Sequence, residues 1–365
     1  MSILFIAGTR PEALKLTPII WECMRRGISY KLFTTGQHET IVESIFNNFD
    51  INIDYKGSMP VGNTTLSNLM SIFMDRIDSV LFETTKIFDV IVVQGDTVST
   101  LAGALSGFYY NIPVAHVEAG LRADKYEPFP EEMHRRLISE IADFNFCPTH
   151  SNLINLVREE IPEENCYVTG NTIIDLVSQT SHINHYSSTL QKIHSYNGKK
   201  IVLATLHRRE NWELIPAICR NLKESVKHYE DVQLMFVMHP NKTLQSFVRK
   251  EFEGMTNIEF FYPLDYLDFI YLMKSSYFIV TDSGGIQEEA AYLRKPVLVV
   301  RKQTERQEGV ASGIAKLVDP ASLSHNIYKL LFYPSYHEEM TSNDLIPEIY
   351  GKPGASQKIV TILGG

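Results

Sequence analysis

The chain has 365 residues, enough for two domains at roughly 100–200 residues each. Hydrophobic residues make up 44% and charged residues 21%, which excludes disordered, collagen-like and coiled-coil classes. Basic side chains number 34 against 43 acidic ones, a net charge of −9, so no broad basic surface exists for a nucleic acid.

In chain order, short apolar runs each lead into a loop and then a segment of helical period. The first half contains Ile3–Ala7, Tyr30–Thr35, Val90–Gln94, Val114–Val117 and Phe144–Cys147. The second contains Ile201–Ala204, Gln233–Val237, Ile258–Phe261, Phe278–Thr281 and Val297–Val300. The runs are mostly unbroken, not alternating, which predicts strands buried on both faces of a parallel sheet. Thr97–Tyr110, Leu214–His228 and Ile286–Leu293 are long enough to be crossover helices. The fold class is therefore α/β, with two Rossmann-like doubly wound domains. Their boundary is expected in the polar stretch around Val168–Thr172, giving domains 1–168 and 169–352. Two weakly apolar helical segments and the Tyr196–Lys200 turn then open the second set of strands. Pro353–Leu363 regains a helical period after a Gly/Pro break, and either caps the second domain or returns to the first.

The N-terminal stretch lacks a basic n-region, and no apolar run approaches the roughly 18–20 residues that span a bilayer. Cys23, Cys147, Cys166 and Cys219 lie far apart without any CxxC. They read as buried small hydrophobes of a reducing compartment, so a cytoplasmic location is expected.

In open parallel sheets, ligands bind at the loops that follow the strands. After the first strand comes Gly8-Thr9-Arg10-Pro11-Glu12-Ala13-Leu14-Lys15. Pro11 is placed to open a helix, with Arg10 and Lys15 near its positive end. That suits a phosphate or carboxylate, and it equally suits two solvated charges. Neither GxGxxG nor GxxxxGK[ST] occurs, so a standard dinucleotide or P-loop site is not indicated. Asp96 falls where a helix N-cap belongs. Glu118 ends a buried strand, an expensive place for a carboxylate unless it is paired or used. The loop Tyr126-Glu127-Pro128-Phe129-Pro130-Glu131-Glu132 precedes a helix carrying His134, Arg135 and Arg136. One sheet edge thus collects Asp96, Glu118 and Glu131 or Glu132 from three loops. Crowded carboxylates suit acid–base chemistry, and the same acids also suit a hard cation.

In the second half, Thr205–Asn211 sets His207 beside Arg208 and Arg209, a solvated cluster or a stabiliser of a leaving diphosphate. His239 follows a strand as a lone histidine. Thr281–Glu289 makes Ser283 a natural N-cap, and Gly284 and Gly285 let backbone N–H groups approach an anion. Glu289, one turn on, can accept from ribose hydroxyls. His182, His185 and His194 have no metal-ligand register, and no metal is expected.

These loops resemble the non-hydrolysing UDP-N-acetylglucosamine 2-epimerases. The matching segments are Gly8–Lys15 (GTRPEALK), Gly36–His38, Gln94–Thr97 (QGDT), His116–Arg122 (HVEAGLR) and Pro130–Glu132 with Arg135. Gly170–Asp175 (GNTIID), His207–Glu210 (HRRE), Thr281–Glu289 (TDSGGIQEE) and Thr304–Arg306 (TER) continue the series in family order. The resemblance implies a GT-B type fold with a cleft between the domains, and a C-terminal helix (353–365) that returns to the first. It implies interconversion of UDP-GlcNAc and UDP-ManNAc without NAD, metal or other cofactor, through elimination of UDP and a 2-acetamidoglucal. By similarity, Asp96, Glu118 and Glu131 are the acid–base candidates. His207, Arg10 and the Ser283–Gly284 amides would stabilise the departing UDP, with Lys15, His239 and Gly285 among the binding residues. Glu289 matches the ribose contact, Arg306 a diphosphate or cleft-closing position, and Arg135 a position near the sugar. A homodimer supplying surface polysaccharide is also implied. Members regulated by UDP-GlcNAc carry glutamines near Gln37 and in a loop matching 59–66. This chain keeps Gln37 and His38, the candidate regulatory positions, and has Asn63 where the second glutamine is expected.

Other readings remain beside this one. A hydrolysing 2-epimerase would release UDP and free ManNAc, but its relatives favour an aspartate where this chain has Pro11-Glu12-Ala13. A related UDP-acetamido sugar would need only small pocket changes. A solute-binding protein shares the architecture but needs no three acids, and a GT-B glycosyltransferase would require an acceptor and would not by itself explain inversion at C2.

Overall fold

The unbroken apolar runs form two all-parallel sheets in a computed structural model describing residues 1–59, 64–84, 87–123, 128–183, 186–208 and 211–364. Glu127, His185, Arg209, Glu210 and the Pro60–Asn63 stretch, all singled out from the sequence, lie outside the described residues.

One unit comprises Met1–Leu176 with Tyr350–Gly365. Its strands are β1 (Ser2–Ala7), β2 (Ser29–Thr34), β3 (Tyr55–Lys56), β4 (Val90–Gln94), β5 (Val114–Val117), β6 (Phe144–Cys147) and β7 (Cys166–Val168). They pair in the order β3-β2-β1-β4-β5-β6-β7. Leu4, Ile6, Ile91 and Val93 pack on Phe73, Ile77 and Leu101 from helices Leu66–Glu83 and Val98–Tyr109. On β1, Ile3 and Phe5 are buried as fully as Leu4. Coverage of both faces is why this strand carries no polar alternation.

The second unit, Val177–Ile349, contains β8 (Lys200–Thr205), β9 (Val232–Val237), β10 (Ile258–Phe261), β11 (Phe278–Thr281), β12 (Val297–Val300) and β13 (Ala315–Val318). Their order is β10-β9-β8-β11-β12-β13. Val202, Ala204, Leu234, Phe236 and Val280 pack on Ile218, Leu222, Val248 and Ile327. The doubly wound expectation holds in each unit. Each strand order reverses once, between β1 and β4 and between β8 and β11, where crevices open at the carboxyl ends.

Three strands had no signal in the sequence: β3, β7 and β13. All are two to four residues long and stand at sheet edges, where one side needs no apolar cover. The two units divide at Leu176 and Tyr350. The reason is a buried hub. Asp175, on helix Thr172–Thr180, accepts from the backbone of Gly354 (2.6 Å), Ala355 (3.3 Å) and Ser356 (2.7 Å), and from the Ser356 hydroxyl. It thereby satisfies the orphan donors opening helix Ala355–Ile362. That helix packs along helix Arg10–Arg26, where Arg26 donates to Thr361 Oγ1 at 2.9 Å.

All four cysteines are free and buried, and burial pushes the thiols of Cys23, Cys147 and Cys219 up to about 12. Among the described residues, no helix is long and apolar enough to cross a membrane.

Candidate active site

In the first unit the site is built on the loops after β1, β4 and β5. Gly8 opens the first loop against a wall: a Cβ there would lie 2.0 Å from Ser99 Oγ and 2.4 Å from Thr35 Oγ1. Only glycine fits this approach. Pro11 opens the following helix as expected, and Arg10, its first residue, stands half-buried at the positive end. The candidate regulatory pair attaches here as well. Ser99 Oγ donates to Gln37 Oε1 at 2.8 Å, and His38 N donates to Gly8 O at 2.8 Å.

The three candidate carboxylates have three different environments. Asp96 is not the N-cap that its position suggested. Thr97 caps helix Val98–Tyr109, and Arg135 holds Asp96 Oδ2 through Nε at 2.7 Å and Nη2 at 2.6 Å. His134 Nδ1 donates to the Asp96 carbonyl at 2.8 Å, closing the clamp. Glu118 has φ +70, an uncommon backbone for a non-glycine residue. Lys15 Nζ lies 2.5 Å from its Oε1, and Gln94 Nε2 donates to its Oε2. Lys15 was expected at a substrate anion. Its ammonium gives the buried Glu118 carboxylate a counter-charge. Glu131 opens helix Glu131–Ile141 and makes no hydrogen bond or ion pair among the described residues. Glu132, its alternative from the sequence, is fully buried and holds Arg135, Arg136 and the Ala123 amide. Glu131 and Arg135 are four residues apart on one helix face, so the unpaired acid stands beside the arginine that grips Asp96.

Beneath these loops, His116 is wholly buried and its Nε2 donates to Gly95 O at 2.7 Å. Burial pushes its pKa down to about 4. Glu12 is buried too, with no cation among its partners in the described residues, and desolvation raises its carboxyl.

In the second unit the site lies on the loops after β8, β9, β11 and β12. The His207 ring bonds to Thr205 Oγ1 and sits 6.1 Å, centroid to centroid, from the His239 ring. His239 Nδ1 accepts from Asn241 N at 3.1 Å, so its own turn orients it. Ser283 occupies the N-cap of helix Gly284–Tyr292, yet its hydroxyl makes no capping bond. A Cβ on Gly285 would meet nothing within 4 Å, so the protein leaves space above this amide. At Gly284 a Cβ would lie 3.1 Å from Glu305 Oε1 and 3.3 Å from Arg306 Cζ. Arg306 thus lies against the turn, held by Glu288 at 2.9 Å and Glu305 at 2.8 Å. Glu289 is buried in the same helix. Burial alone would raise the Glu305 carboxyl, but Arg306, Arg301 and Arg208 outweigh it and hold it below the usual carboxylate range.

Sequence reasoning missed Gln94, Glu12, Asp282 and Glu305 as parts of these sites. All four stand in or beside the noted motifs, but each has at least one partner on a distant loop. Among the described residues, no group of three metal-ligating side chains is gathered.

Comparison with known proteins agrees with the loop chemistry. Residues 22–364 match the sequence model of UDP-N-acetylglucosamine 2-epimerase. A Salmonella borreze UDP-N-acetylglucosamine 2-epimerase is 38% identical, covering 98% of this chain and 97% of its own length. The Neisseria meningitidis UDP-GlcNAc 2-epimerase, crystallised with UDP-GlcNAc, superposes with a TM-score of 0.91 at 36% identity, covering 100% of this chain and 99% of its own. The Methanocaldococcus jannaschii UDP-GlcNAc 2-epimerase, solved with UDP-GlcNAc and UDP, gives 0.82 at 32% identity, covering 100% and 99%. With a family match over most of its length, near-complete relatives and the loop order of that family, this chain belongs to the UDP-N-acetylglucosamine 2-epimerases.

Proposed function

We propose that the protein interconverts UDP-N-acetylglucosamine and UDP-N-acetylmannosamine by eliminating and re-adding UDP. The observation that carries this reading is the unequal treatment of three carboxylates at one sheet edge. Inversion at C2 needs a base on one face of the sugar and an acid on the other. Glu131, partly exposed and without an ion pair among the described residues, is suited to remove the C2 proton. Glu118 and Asp96 are the candidates for the opposite face: the one that protonates C2 enters that step as the acid and leaves it as the anion that Lys15 or Arg135 pairs.

As C2–H breaks, its electron pair forms the C1–C2 double bond of 2-acetamidoglucal and the C1–O bond to UDP breaks. Re-addition delivers a proton to the other face of C2, and a diphosphate oxygen attacks C1. The C2 proton is not acidic, so the leaving diphosphate needs strong stabilisation. In the second unit, His207, the Ser283 hydroxyl and the Gly284–Gly285 amides suit that task, with Arg306 beneath and Glu289 for the ribose. His239 shares that edge. In the first unit, Arg10 at its helix N-terminus is a cation suited to an anion. No residue in this scheme calls for NAD or a metal. By the same family reading the protein is a cytoplasmic homodimer whose product feeds surface-polysaccharide assembly.

Proton NMR in D₂O with UDP-GlcNAc alone tests the proposal. UDP-ManNAc carrying deuterium at C2 is the expected product. Accumulation of UDP with free ManNAc would assign the chain to the hydrolysing branch instead. Binding of UDP without any turnover would refute the epimerase reading for this sugar.

A further inference from the structure

Two buried carboxylates with no cation among their partners in the described residues stand at corresponding loops of the two units. In the first, the crevice at the reversal of strand order lies between the loops after β1 and β4. Glu12 joins them. Its Oε2 accepts from Gly8 N at 2.5 Å and Thr9 N at 3.1 Å, while its Oε1 accepts from Thr97 Oγ1 at 2.6 Å and Thr100 Oγ1 at 3.4 Å. In the second unit the corresponding loops follow β8 and β11. Asp282 joins them. Its Oδ1 accepts from His207 N at 2.9 Å, and its Oδ2 accepts from Arg208 N at 3.1 Å and Asn211 Nδ2 at 3.0 Å. Glu12 is 2% exposed and Asp282 0%, so neither can touch a substrate directly.

We infer that Glu12 and Asp282 are positioning residues: each ties the two loops at its unit's switch point, holding in place the loops that carry Arg10 and Asp96 in the first unit and His207 and Ser283 in the second. The inference rests on the epimerase reading for its effect on turnover, but not for its effect on the loops. Buried acceptors of this kind set loop geometry because an N–H left without its partner carries a full desolvation cost. Site groups displaced by about 1 Å lose much of their rate.

The donors differ in a way that makes the two residues separable. At Glu12 one oxygen faces two backbone N–H groups and the other faces two hydroxyls. Hydroxyls can accept as well as donate. Glutamine therefore fits, with its carbonyl toward Gly8 and Thr9 and its NH₂ toward Thr97, whose own proton turns to Thr100 Oγ1 at 3.3 Å. At Asp282 all three partners are obligate donors. Asparagine there must point an NH₂ at one of them.

The test combines amide hydrogen exchange of peptides covering Gly8–Thr9 and His207–Arg208 with C2-deuteration turnover and a UDP titration. Glu12→Ala is expected to speed exchange at Gly8–Thr9 about tenfold or more and to lower kcat more than it raises KM. Glu12→Gln restores both. Asp282→Asn is expected to speed exchange at His207–Arg208 and to weaken UDP binding, each about tenfold or more, leaving Gly8–Thr9 exchange unchanged. Should Asp282→Asn not fold, Asn211→Ala leaves the carboxylate with both backbone bonds, and exchange at the same peptide still rises about threefold. Unchanged exchange at His207–Arg208 in every folded variant overturns the inference for Asp282. A Glu12→Gln protein as inactive as Glu12→Ala overturns it for Glu12, by making the proton matter and not the acceptors. A wild type that binds UDP without turnover sinks the epimerase reading alone, because the exchange results still decide this one.

Discussion

Lys15 Nζ lies 2.5 Å from Glu118 Oε1, with side chains only 6% and 8% exposed. A buried pair of this kind contributes little net stability when intact, yet removing one partner strands the other charge. Lys15→Met is therefore expected to destabilise the protein by about 3–5 kcal/mol and to suppress turnover. The double variant Lys15→Met with Glu118→Gln should recover much of the stability and none of the activity. Urea unfolding beside the D₂O assay measures both. Equal activity in the double variant and the wild type would remove Glu118 from the chemistry.

Arg135 grips one oxygen of Asp96 through two nitrogens while also touching Glu132 at 3.3 Å. A lysine carries the charge but not the planar fork. Arg135→Lys is expected to lower kcat about tenfold or more, with UDP affinity within about twofold of wild type. Steady-state kinetics with a separate UDP titration distinguishes this from general damage, which would lower both.

These pairs mark the limit of what the sequence revealed. Glu118 stood out as an acid ending a buried strand, but its partner is 103 residues away and no local pattern names it. Asp96 had the look of an N-cap because Asp is a good cap. Thr97, one residue later, caps just as well, and Arg135, 39 residues on, captures the carboxylate. The central strands were legible because burial on both faces leaves unbroken apolar runs. The edge strands β3, β7 and β13 lack that constraint. Glu12 and Asp282 were visible as motif letters, but a buried acceptor without a counter-charge has no spacing rule. Only the folded loops reveal its donors.

The buried His116 gives a pH signature. Burial lowers its pKa to about 4 from an ordinary 6.5, so the folded state resists a proton that the unfolded chain accepts. The stability this provides is complete above about pH 6.5 and is lost as the pH falls through about 4. By that difference the loss amounts to roughly 3 kcal/mol. His116→Gln keeps an N–H for the Gly95 carbonyl and cannot titrate. Denaturant unfolding from pH 4 to 7 should show the wild type losing stability relative to His116→Gln as the pH falls. Parallel curves would mean that the ring is not held neutral.

Glu12 should give the opposite slope. Its carboxyl is raised by desolvation, so its contribution is fully present below its unfolded value of about 4.5. That contribution is lost as the pH rises through the folded value. Glu12→Gln, which never ionises, is therefore expected to gain on the wild type in this window and then to hold a constant difference. The same unfolding series measures it. A difference that shrinks as the pH rises would show that Glu12 is stabilised as the anion.

Ser283 and Gly285 separate stability from binding. The Ser283 hydroxyl makes no capping bond, so Ser283→Ala should cost less than the roughly 1 kcal/mol typical of losing an N-cap. A methyl on Gly285 meets no protein atom within 4 Å and improves helix propensity, so Gly285→Ala should gain about 0.5–1 kcal/mol. The same methyl would fill the space through which an anion approaches the helix start. UDP affinity is therefore expected to fall about tenfold or more in Gly285→Ala while the thermal midpoint rises. Calorimetric titration and thermal unfolding of one protein sample read the two quantities together. If Gly285→Ala binds UDP as tightly as the wild type, the diphosphate does not lie on this turn.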